Sequence, residues 1–98
     1  MALIDKDELK GAFEEIGQEL ISTDLLTADE RRRVIEWTSA MGVAFASGET
    51  QKVKNYRVSL GAMLGVVELR AAAASEKAAL RIANVALDVL VKIAIAAI

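Results

Sequence analysis

Glu14, Glu15 and Glu19 place three carboxylates within two turns of an N-terminal helical pattern. Carboxylates so spaced can relay protons or hold a metal ion when they converge in a pocket. The chain contains no histidine, so no Glu-x-x-His pair completes a metal site and no imidazole completes an acid–base set. The three fall on the polar side of their helix, where the expected state is a solvated face. Seven hydroxyls (Ser22, Thr23, Thr38, Ser39, Ser47, Ser59 and Ser75) are nucleophiles in search of a base. Lysine can replace histidine in that role, but no Ser-x-x-Lys spacing occurs. Arg31-Arg32-Arg33 could hold a phosphate, yet Asp29, Glu30 and Glu36 flank it, which predicts a surface of local ion pairs instead. Gly61 and Gly65 lack the Lys-Ser/Thr that follows a phosphate-cradling loop.

Composition points the same way. Cysteine, histidine and proline are absent, and only 4% of residues are aromatic against 54% apolar overall. Disulfides, thiol nucleophiles and imidazole ligands are therefore excluded. No enzyme activity, metal or cofactor is expected. The net charge of -2 gives no basic excess for nucleic acid. Its distribution is uneven, with acids in excess through residue 36 and bases in excess after it, so the two halves can attract within or between chains. Charge at Asp5 interrupts the N-terminus before an apolar stretch develops, which argues against a secretory signal. The expected location is the cytoplasm or the interior of an assembled particle.

These residues must be positioned by helices. With six glycines and no proline, the chain reads as all-α: a single domain over residues 1–98, a bundle of three to four helices ending in a long, alanine-rich helix or helix pair. The first helix spans about 5–22. Asp5 and Glu8 suit a capping box, Ile4 and Leu9 a hydrophobic staple, and Leu9, Phe13, Ile16 and Leu20 a buried stripe. Gly17 weakens it, by about 1 kcal/mol relative to alanine. The second spans about 28–47, opened by the Thr27–Glu30 capping box and closed by Gly48, with Val34, Trp37, Met41, Ala44 and Phe45 inward. From Thr50 to Ala97 no proline occurs, and alanines favour one helix of roughly 70 Å. A break near residue 75, with Ser75 as a cap, is the alternative.

That last segment carries the functional signal. Leu80, Ala83, Leu87, Leu90, Ala94 and Ala97 advance in alternating steps of three and four, a heptad seam for helix association. Ile82, Val85, Val89, Ile93 and Ala96 form a second stripe beside it, and polar residues are confined to Arg81, Asn84, Asp88 and Lys92. Gly61 and Gly65 form a small-xxx-small pair suited to close helix approach. Two shorter helices should not cover so much apolar surface, so the seam is expected to face another chain, and a charge at Leu87 or Leu90 to abolish association. The partner is then another copy of the chain, or other proteins of an assembly. The expected function is a non-catalytic structural subunit that self-associates through its C-terminal helix, as in a virion or phage particle. Two alternatives remain at this point: a membrane-associated helical protein, and a small adaptor or inhibitor of another protein. The membrane alternative is the weaker, because Asp88 and Lys92 would lie inside any span and cost about 2.5–3.5 kcal/mol each at its centre.

Overall fold

The computed structural model describes residues 5–98, apart from the Lys6 side chain. Of these residues 85% are helical, and no strand occurs among them. Four helices follow in order: α1 (Lys6–Ile21), α2 (Ala28–Ala46), α3 (Thr50–Arg70) and α4 (Ala74–Ala97). Each packs on its neighbour in sequence, and α4 returns to α1 to close the bundle through its thinnest seam. The bundle measures 44 × 25 × 20 Å.

Local chemistry accounts for most boundaries. Asp5 caps α1, but its carboxylate accepts from the Asp7 amide at 2.9 Å, so the expected reciprocal box with Glu8 does not form. The staple partner Ile4 lies outside the described residues. Ser22 and Thr23 then turn their hydroxyls onto the Glu19 and Leu20 carbonyls, satisfying acceptors at the helix end. The Thr27–Glu30 capping box opens α2 as expected. Gly48 closes it with φ of 72°, the left-handed conformation that lets the Glu49 amide reach the Ala44 carbonyl at 2.8 Å.

Residues 50–97 do not form one helix. The chain reverses at Ala71-Ala72-Ala73, and Ser75 lies inside α4, with Ala73 at the N-cap position. Alanine favours the helix, but only by tenths of a kcal/mol per residue over most alternatives. Burying one leucine yields about 1.5–3 kcal/mol. Folding α4 back buries Leu80, Leu87, Val91 and Ala94 against the chain's own core, and that term decides the reversal. Phe13, Phe45, Met41, Leu60 and Leu64 form the centre they join.

Candidate interaction surface

The heptad seam is the first feature the structure relocates. Leu80, Leu87 and Ala94 are at most 2% exposed, sealed inside their own chain. Ala83 and Leu90 are half-buried beside them, and only Ala97 is exposed. The seam therefore serves intramolecular packing. A charge at Leu87 would disrupt the core of the chain itself. What three helices cannot cover is the opposite side of α4. Ile82, Val85, Val89 and Ile93, the second stripe of the sequence, stand in solvent, with Ile82 at 70% exposure.

A parallel stripe lies on α3, where Val58, Val66 and Leu69 are exposed, Leu69 to 84%. Ala62 and Gly65 lie among them. The α3 stripe went unread in the sequence because Lys54, Arg57, Glu68 and Arg70 interrupt the pattern. Its spacing of 58, 62, 65 and 69 is nonetheless helical. Among the described residues ten large apolar side chains are exposed, and seven of them belong to these two stripes. The outward faces of α3 and α4 thus carry most of the exposed large apolar side chains, a concentration of the kind that marks interaction sites in proteins.

A polar line separates the stripes. Arg81 donates from Nε to Glu68, Arg57 stands 3.7 Å from Asp88, and Lys92 pairs with Asp88 at 3.0 Å. A cleft of about 490 Å³ opens over Arg57, Arg81, Asn84, Val85 and Asp88. Gly61 faces Arg57: a Cβ there would fall on the guanidinium and lie 3.6 Å from Asn84 Oδ1. Gly61 therefore admits an arginine between α3 and α4, not a neighbouring backbone. Gly65 has no atom within 4 Å of the Cβ it lacks, so the pair does not mediate close helix approach within the chain. Close approach occurs between α1 and α2, where Gly17 meets Thr38 and Gly42 meets Lys10.

Between α1 and α4 a second cleft, of about 510 Å³, runs along Ala12, Ile16, Ala86 and Val89, with Glu15 and Glu19 on its α1 rim. The carboxylates do not converge. Among the described residues no group of three acidic, histidine or cysteine side chains could hold a metal ion. No described helix is long and apolar enough to cross a membrane.

The arginine run also resolves locally. Arg32 bonds Asp29 at 3.0 Å and Arg31 lies 4.0 Å from Asp24. The exacting polar site of the molecule is elsewhere, at Glu30. Arg70, ending α3, donates to both Glu30 oxygens and, at 3.0 Å, to the Leu25 carbonyl. The guanidinium hydrogen bond, with help from the Thr27 amide, holds the Glu30 carboxyl down at about 2 against partial desolvation. This pairing over forty residues ties the α1–α2 turn to the end of α3 and is structural. Comparison with known protein families, curated proteins and solved structures finds no match to this chain.

Proposed function

We propose that this chain is a non-catalytic structural subunit that assembles with copies of itself through the outward faces of α3 and α4. The observation carrying this reading is the concentration of exposed apolar side chains there, seven of the ten large ones among the described residues. Scattered surface apolar residues are ordinary, but two stripes at helical spacing on neighbouring helices expose apolar area that association would remove from water. The absence of histidine and cysteine leaves this surface as the molecule's main chemical resource. A chain without cysteine suits the cytoplasm or the interior of an assembled particle.

Light scattering on the purified chain tests the proposal. The expected mass is a defined multiple of 10.5 kDa without detergent. Val89→Asp is expected to reduce the mass to that of one chain while leaving the helical circular dichroism unchanged. A monomer at high micromolar concentration, or a requirement for lipid or detergent, would refute it.

A further inference from the structure

The three connections of the bundle are not equally specified. Gly48 adopts a φ of 72° at the α2–α3 turn, a conformation that glycine favours. Hydroxyls of Ser22 and Thr23 and the Thr27–Glu30 box define the α1–α2 connection. The α3–α4 reversal, by contrast, is made of Ala71, Ala72 and Ala73, the residue type with the greatest preference for remaining helical. Ala71 (ψ 135°) and Ala73 (ψ 142°) are extended, and Ala73 has no side chain with which to cap α4. Glu76 alone reaches back to the Ala73 amide, at 3.0 Å. Burial of α4 enforces the turn, and nothing in that burial requires α4 to belong to the same chain.

We infer that the chain exchanges α4 with a second copy of itself. The Ala71–Ala73 turn opens, α3 and α4 run on as one helix, and each α4 fills the place left by its counterpart. Leu80, Leu87 and Ala94 then meet the same core residues as before, contributed by the partner. Glu68–Arg81 and Arg57–Asp88 re-form between chains. The geometry closes: α4 is antiparallel to α3, so two straightened helices lie antiparallel across a two-fold axis at the hinge. The small side chains of Ala71–Ala74 are what such a crossing admits. Exchange conserves the buried contacts and converts the three turn residues to helix, against the entropy of association, so its extent rises with concentration. It names the same partner as the proposed function but does not depend on the outer stripes.

The absence of cysteine allows the test to be made with spin labels on the full chain carrying Gln51→Cys and Ala97→Cys. In the closed fold these sites lie at the same end of the bundle, since Ile98 reaches within 4.0 Å of the Cβ position at Gly48. In the exchanged form one continuous helix separates them by roughly 70 Å. Labelled chain is refolded at high concentration with excess unlabelled chain, so that only intrachain distances are read. A dimer fraction with the long distance is expected. Ala72→Pro should suppress that fraction by ~100-fold per hinge, the cost of a proline within a helix; in the closed fold position 72 lies outside both helices and Ala71 already has the extended conformation favoured before proline. A dimer that keeps the short distance overturns exchange and leaves association through the outer stripes standing. A long-distance dimer indifferent to Val89→Asp supports exchange and overturns the outer-stripe reading. A chain that stays monomeric overturns both.

Discussion

Glycines that look alike in the sequence have opposite roles at atomic scale. Gly11 and Gly17 both interrupt α1, and helix propensity alone predicts the same gain from replacing either with alanine. Gly11 has no atom within 4 Å of its missing Cβ, whereas at Gly17 that carbon would stand 2.5 Å from the Thr38 hydroxyl. This hydroxyl is buried and committed to the Val34 carbonyl at 2.7 Å. Gly11→Ala should therefore stabilise the chain by about 0.4–1 kcal/mol. Gly17→Ala should destabilise it by about 1–3 kcal/mol through overpacking. Thermal melts of the two variants check both signs. Glu30 provides a second residue-scale prediction. Its carboxyl lies near 2 in the folded chain against 4.5 as the ordinary value, so its pairing stabilises fully above about 4.5. That contribution is lost as pH falls from 4.5 through 2. Glu30→Gln should lower the melting temperature at pH 7, with the difference from the parent shrinking across that interval in a pH series of melts.

Among the elements, the most telling contrast is between the start of α2 and the start of α4. Thr27 and Glu30 satisfy each other's amides, which made α2 legible from a four-residue signature. Thr27→Ala should cost about 1 kcal/mol, a fall of about 4–8 °C in melting temperature for a domain this size. The start of α4 has no such signature, since Ala73 has no polar side chain. Its extended φ of -91° and ψ of 142° are nonetheless those of an N-cap. Ala73→Ser should supply the missing acceptor and stabilise the closed fold by about 0.5–1 kcal/mol, read from the same melts. The sequence offered this joint only as an alternative near residue 75, because its one local interaction, Glu76 reaching back to the Ala73 amide, lacks the reciprocal bond of a polar N-cap. A helix boundary encoded by capping is visible in four residues, while one imposed by burial is visible only with the surface it buries.

Across the whole molecule, exposed apolar side chains are unevenly distributed. The outer faces of α1 and α2 carry Glu14, Glu15, Glu19 and the paired arginines, while those of α3 and α4 carry the apolar stripes. Leu87→Asp and Val89→Asp, two positions apart, should then separate folding from association. Leu87 is 0% exposed, and an unpaired charge there should unfold the chain. Val89 is 50% exposed, and the same change should leave the melting curve of the monomer within about 0.5 kcal/mol of the parent. Far-ultraviolet circular dichroism and light scattering on the pair distinguish the two effects. The sequence by itself determined the helical class, the ends of α2, and an apolar C-terminal segment with two distinct stripes. Those features follow from periodicity and capping, which operate over a few residues. Only the tertiary structure decided that the chain reverses at three alanines and that the heptad seam faces inward while its neighbour faces out. Both stripes have similar hydrophobicity and the same helical spacing. Which one is buried depends on where α1 and α3 stand around α4, and that is a relation between residues far apart in the chain.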